Sequence, residues 1–201
     1  MTFISLLIGK RGETVNNTVI LTNVFNLDEF YYFEKKGIRE LCTFIARNSF
    51  SRANKGKIIN VQHKGYFFTI VTNYEGLSIC AVFNNNKYPL RVLHRILKNL
   101  LVLYIKEHGD KWKDINNDLQ LPLEDLAAKL KEYADPTKVD KIYKINKDLD
   151  YTKIIMHQNI DKVLERGEKI EDLVERSKDL SKSSKKFYKT TRKMNSCCLI
   201  N

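Results

Sequence analysis

The sequence predicts an α+β chain: a five-stranded antiparallel sheet with packed helices, followed by a long, highly charged helix. Three observations carry this. Five short runs rich in β-branched and aromatic residues lie before residue 84. Two stretches around them space their apolar residues as one face of a helix. After residue 134 the texture changes: from Val139 to Lys193 there is one Gly, no Pro and no strand-like alternation.

Phe3–Ile8 and Thr18–Phe25 read as a hairpin around the polar, Gly-containing stretch 9–17. Ile38, Leu41, Cys42 and Ile45 then follow i, i+3, i+4, i+7 spacing and predict a first helix. Lys57–Gln62, Tyr66–Thr72 and Leu77–Phe83 are three further strands. The stretches between them, His63-Lys64-Gly65 and Asn73-Tyr74-Glu75-Gly76, read as turns, and such tight connections favour antiparallel neighbours. Pro89 starts a second helix with Leu93, Ile96, Leu97, Leu100, Leu101 and Tyr104 on its stripe. A shorter helix is expected after Pro122, through Leu123, Leu126, Ala127 and Leu130. The order is β-β-α-β-β-β-α with the extra helix last, and one sheet carrying helices buries all these faces. The domain boundary is expected near 134–138.

The chain of 201 residues carries 35 basic and 24 acidic side chains, a formal charge of +11. Its longest apolar run, Leu100 to Ile105, is far short of the roughly 18 residues of a membrane span. The first ten residues have no basic leader, and Thr2 excludes N-myristoylation. A cytosolic protein is therefore expected. Cys42 and Cys80 lie in apolar contexts and read as small core residues. No C-x-x-C pair supports a zinc or redox site.

The second half carries a sustained seam. Alternating steps of three and four give Ile142, Ile145, Leu149, Thr152, Met156, Asn159, Val163, Arg166, Ile170, Leu173, Ser177, Leu180, Ser184, Phe187, Thr191 and Met194. A period of about 3.5 held this long argues coiled coil, a rod on the order of 80 Å as one helix. Thr152, Asn159, Ser177, Ser184 and Thr191 are small or polar at seam positions, and Arg166 is a full charge there. Gly167 beside it costs a helix about 1 kcal/mol relative to Ala. So weak a seam does not hold a homodimer. Arg166 is tolerated only if other helices bring acceptors, and glutamine carbonyls would suit. The segment is expected to order on binding.

The tail has its own signals. Lys182, Lys185, Lys186, Lys189, Arg192 and Lys193 follow Asp179 with no later acid, and Cys197-Cys198-Leu199-Ile200-Asn201 follow them. Cys-aliphatic-aliphatic-X is a prenylation box, with Cys198 as the alkylated thiol. Cys197 and the basic run are the second signals a single lipid chain needs for stable anchoring. Asn201 leaves the isoprenoid open.

Leu164-Glu165-Arg166-Gly167-Glu168-Lys169-Ile170-Glu171-Asp172-Leu173-Val174, with Phe187-Tyr188-Lys189-Thr190-Thr191-Arg192-Lys193 and Ser196-Cys197-Cys198, resembles the prenylated longin-domain R-SNAREs, synaptobrevin-like fusion proteins. The β-β-α-β-β-β-α order is similar to their profilin-like longin domain. The resemblance implies a longin domain over 1–134, an R-SNARE coiled-coil motif over 139–196 and a lipidation motif over 197–201. It implies Arg166 as the charged central layer, facing a Gln from each of three Q-SNARE helices, with the other seam residues as packing layers of a parallel four-helix bundle. Cys198 would be prenylated, and Cys197 would carry palmitate or a second prenyl group. The longin domain would fold back on the SNARE segment and shelter the lipid. Phe44, offset from the 38/41/42/45 stripe, matches the family's groove-closing aromatic. The chain would cycle from the cytoplasm to the cytoplasmic face of Golgi, endosomal, vacuolar and other vesicle membranes.

Two other readings differ in class. A lipidated adaptor would use the longin-like domain to bind cargo or a GTPase, with the helix as spacer; Arg166→Ala separates it from a fusion bundle. An enzyme has little support. His63, His94, His108 and His157 are scattered, no H-E-x-x-H or G-x-S-x-G occurs, and Gly9-Lys10-Arg11-Gly12 is too short for a phosphate loop. No cofactor, metal or nucleic-acid partner is expected. Phosphorylation of Ser177 or Ser184 would place a charge of about −1.5 to −2 in a packed layer or against the closed longin surface.

Overall fold

The computed structural model describes residues 3–84, 88–134, 154–157 (backbone only), 160, 163–164, 167–186 and 188. Strands β1 (Phe3–Lys10) and β2 (Val19–Phe25) form the expected hairpin. Helix α1 (Tyr32–Arg52) follows, then β3 (Ile58–His63), β4 (Tyr66–Thr72) and β5 (Leu77–Phe83) as an antiparallel meander. Helix α2 (Leu90–His108), a 3-10 turn (Lys111–Lys113) and the short helix α3 (Leu126–Glu132) complete the first domain. β5 pairs antiparallel with β1, so the meander closes onto the hairpin. The turns obey their chemistry. Lys64 and Gly65 take positive φ between β3 and β4, and Asn73 Oδ1 accepts the N–H groups of Glu75, Gly76 and Leu77.

The sheet is a layer between two cores. On one side Phe3, Leu6, Leu21, Ile79, Ala81 and Phe83 meet the α2 stripe, Trp112 and α3. On the other, Ile4, Leu7, Ile20, Cys80, Val82 and Ile70 meet α1. Burial on both faces explains why β1 and β5 read as nearly continuous apolar runs. At the bulge between Ile8 and Gly9 the chain passes close beneath α1. A Cβ on Gly9 would sit 2.6 Å from the Val19 carbonyl oxygen and 2.8 Å from the Phe50 ring, so only glycine fits. Cys42 and Cys80 are buried thiols. Desolvation pushes Cys42 up to about 12, and Cys80 well above its ordinary value, so both stay protonated core residues as expected.

The sheet has a sixth strand. β6 (Ile154–His157) lies parallel to β3, with Ile58 opposite Ile154 and Val61 opposite His157, giving the order β2-β1-β5-β4-β3-β6. The segment expected as a long helix is therefore not continuous here. It runs as a strand, a helical turn at Ile160, helix α4 (Ile170–Arg176) and a helical stretch at 182–186. With no partner helices the seam cannot bury itself. The strand satisfies backbone groups that β3 would otherwise present to water, and the short helices follow the surface of α1. The opposite edge, β2, is covered by the loop before α3, where Leu119 and Leu121 N–H groups donate to Ile20 and Leu21 carbonyls.

Candidate functional site

The site is the groove between α1 and the returning segment. α1 carries apolar residues on two sides. Ile38, Cys42 and Ile45 face the sheet as the stripe predicted, and Leu41 is half-buried. Phe44 lies off that stripe yet is 1% exposed, within the cluster that includes Ile160, Ile170, Val174, Leu180 and Tyr188. Ile170 and Val174, one turn apart on α4, are buried in that cluster, and Val163, Leu164 and Leu173 pack against it half-buried. Full burial of such a side chain contributes about 1.5–3 kcal/mol. Ordering each residue costs about 1–2 kcal/mol, so the docked segment is held by a modest margin.

Polar contacts pin the segment along its length. Arg47, on α1, donates to Asp179 (Nε to Oδ2, 2.8 Å), to Asp118 (Nη2 to Oδ2, 2.6 Å) and to the Thr18 carbonyl oxygen. Burial alone would lower this guanidinium's pKa. The two carboxylates outweigh that and hold it firmly charged. Arg52 makes a bidentate pair with Glu168, 2.9 and 2.7 Å from Nη2 to the two carboxylate oxygens. Glu40 accepts the Ser181 N–H at 2.8 Å. Burial would raise the Glu40 carboxyl, but hydrogen bonds from the Ser181 backbone and the Ser184 and Ser181 hydroxyls, with Lys36 nearby, leave it below its ordinary value.

The segment's last fixed point is Tyr188. Its hydroxyl is 2.9 Å from His63 Nε2 and its ring stacks on the imidazole. Lys64 Nζ donates to the Tyr188 carbonyl oxygen at 2.6 Å and lies 3.5 Å from the ring centroid. Beside it a cavity of about 490 Å³ opens between α1 and the 182–186 stretch, lined by Phe33, Ile38, Leu41, Tyr66, Leu180 and Tyr188. A second, polar cavity of about 640 Å³ lies around Arg47, Arg52, Glu168 and Asp179.

Of the predicted layer positions, Ile170 and Leu180 are buried in the groove, and Val163, Leu173, Ser177 and Ser184 are half-buried. Met156 is in β6. Ile142, Ile145, Leu149, Thr152, Asn159, Arg166, Phe187, Thr191, Met194, Cys197 and Cys198 lie outside the described residues. Sequence reasoning missed Arg47, Arg52, Val174 and Tyr188. Val174 carried a signal, as an apolar residue beside the seam position Leu173. Among the described residues no helix is long and apolar enough to cross a membrane, and no group of His, Cys, Asp or Glu side chains could hold a metal ion.

Comparisons with known proteins agree with this geometry. A family profile described as synaptobrevin matches residues 141–201. The VAMP-like protein YKT61 of Arabidopsis thaliana is 38% identical over 201 residues, covering all of both chains. VAMP-like protein YKT62 of the same plant is 38% identical over 203 residues, again at full coverage. The synaptobrevin homolog YKT6 of Saccharomyces cerevisiae is 36% identical over 184 residues, 90% of each chain. With its five antiparallel strands, packed helices and trailing seam, the chain belongs to the synaptobrevin family and is a longin-domain R-SNARE of the Ykt6 type, acting in vesicle fusion.

Proposed function

We propose that this R-SNARE is stored with its fusion segment folded onto the longin domain and works when that segment leaves. The domains are the longin unit at 1–134, the SNARE motif at 139–196 and the lipidation motif at 197–201. The released motif zippers with three Q-SNARE helices into a parallel four-helix bundle, with Arg166 as its charged layer among three glutamines. Cys198 carries an isoprenoid and Cys197 a second lipid, palmitoyl or prenyl. Zippering toward residue 194 draws that anchor toward the partners' membrane, and burial of the layers works against bilayer repulsion.

One observation carries the reading. Ile170 and Leu180, which a bundle must bury, are already buried beside the groove cluster of Phe44. Groove and bundle compete for the same side chains, so the two arrangements exclude each other. That makes the longin domain autoinhibitory, with Phe44 as part of the groove floor.

Val174 separates the two arrangements experimentally. It is 0% exposed in the groove but falls between layer positions 173 and 177. Val174→Ser should release the segment and speed assembly with Q-SNARE helices, leaving bundle stability nearly unchanged. Leu173→Ser should weaken the bundle itself. Equal assembly rates for Val174→Ser and the parent chain would refute autoinhibition through this groove.

A further inference from the structure

Helix α1 begins on three adjacent aromatic side chains with their surfaces in solvent. Tyr31 is 72%, Tyr32 92% and Phe33 78% exposed, and the rings of Tyr31 and Phe33 stack 5.7 Å apart in parallel planes. Isolated exposed apolar residues are ordinary, whereas a contiguous aromatic patch marks an interaction surface. The N-cap position sharpens the point. Ser, Thr, Asp or Asn would cap this helix better than Tyr31. Glu34 closes the helix start instead, accepting the Tyr31 N–H at 3.1 Å, so the Tyr31 ring is left free to face water.

We propose that Tyr31, Tyr32 and Phe33 are a membrane-contact surface of the longin domain, seated in the headgroup region of an anionic bilayer. Aromatic rings of this kind settle at the membrane–water interface. The surrounding charge fits that partner. Lys35, Lys36 and Arg39 follow on α1, Lys64 lines the same cavity as Phe33, and Lys182 and Lys186 stand on the 182–186 stretch across it. Of the nearby acids, Asp28 and Glu29 lie on the N-terminal side, the Glu34 carboxylate accepts the Tyr31 N–H, and Glu40 is taken up by Lys36 at 3.8 Å and by the Ser181 N–H. Each lysine close to an anionic leaflet contributes about a fivefold gain in binding.

Phe33 and Tyr188 line one cavity, so the end of the docked segment at Tyr188 lies against the rim that carries the aromatics. The surface needs no lipid of its own and is independent of the bundle.

The test uses the full-length chain made without lipidation, with vesicles of phosphatidylcholine alone and of phosphatidylcholine with phosphatidylserine. The parent chain should bind the phosphatidylserine vesicles, and amide hydrogen exchange over residues 31–36 should slow when they are added. The Tyr31→Ser, Tyr32→Ser, Phe33→Ser triple variant should lose about tenfold in binding with its thermal midpoint retained. Tyr32→Ser alone, at the most exposed ring, should lose part of it, so the result does not depend on the triple variant folding. Unchanged exchange at 31–36, or equal binding by both variants, overturns the proposal, because the basic tail would then account for all attraction. Loss of a protein partner with vesicle binding intact also overturns it.

Discussion

Arg47 and Asp179 meet at 2.8 Å across 132 residues of sequence, and each side chain is nearly buried, 13% and 10% exposed. The contact joins α1 to the returning segment just beyond Ser177, a predicted layer position. Removing one partner strands a charge in a poorly solvated place. Arg47→Met should loosen the docked segment by about 3 kcal/mol. The double variant Arg47→Met, Asp179→Leu should recover most of that, since a matched apolar pair can replace a buried ion pair. Limited proteolysis between residues 167 and 186 reads the difference. Equal cleavage of the single and double variants would show that the pair is not coupled.

Acid should weaken the fold in a defined window. Desolvation, helped by Lys98, pushes His94 down from 6.5 to about 4. Between those values the unfolded chain binds a proton that the folded chain refuses. Stability is therefore full above 6.5 and declines as pH falls through the window. Glu40, held low in the folded state, adds a further loss on protonation below its ordinary 4.5. Thermal midpoints across this range should slope downward with acid. His94→Leu should flatten the upper part, and Glu40→Gln should act only at the lower end.

The Tyr188 clasp can be dissected by one atom. Tyr188→Phe keeps the stack on His63 and the Lys64 contact but loses the hydroxyl bond, at a cost of about 1 kcal/mol. Tyr188→Ala also loses the buried ring and should free the tail. Hydrogen exchange of amides 182–188 should rise slightly in the first and strongly in the second. Matching rates would show that ring burial contributes little.

Much of the first domain was legible in the sequence because its signals are local. The β1 and β5 runs, the Asn73 turn, the Pro89 start and the α2 stripe each depend on neighbours a few residues away. Phe44 was reached only through the family resemblance, because the stripe rule assumes one buried side, whereas α1 is covered on two. β6 was not legible, because Met156 falls on the seam period and assigns the stretch to a helix, and only the open edge of β3 makes a strand of it. Arg47 with Asp118 and Asp179, or Arg52 with Glu168, could not be paired by reading along the chain, since separations of 71, 132 and 116 residues carry no periodic signature. The same segment is a strand and short helices against its own domain, while its sequence is written for a long helix among others. That conflict is what the proposed exchange between groove and bundle requires.

β6 also does something for β3. While it is in place, the peptide groups of Ile58–Val61 are shielded by a strand from the same chain. Once the segment departs, that border lies bare, and a released molecule that failed to find its fusion partners would be prone to stick to other unpaired strands. On the proposed autoinhibition, storage would double as protection against self-association.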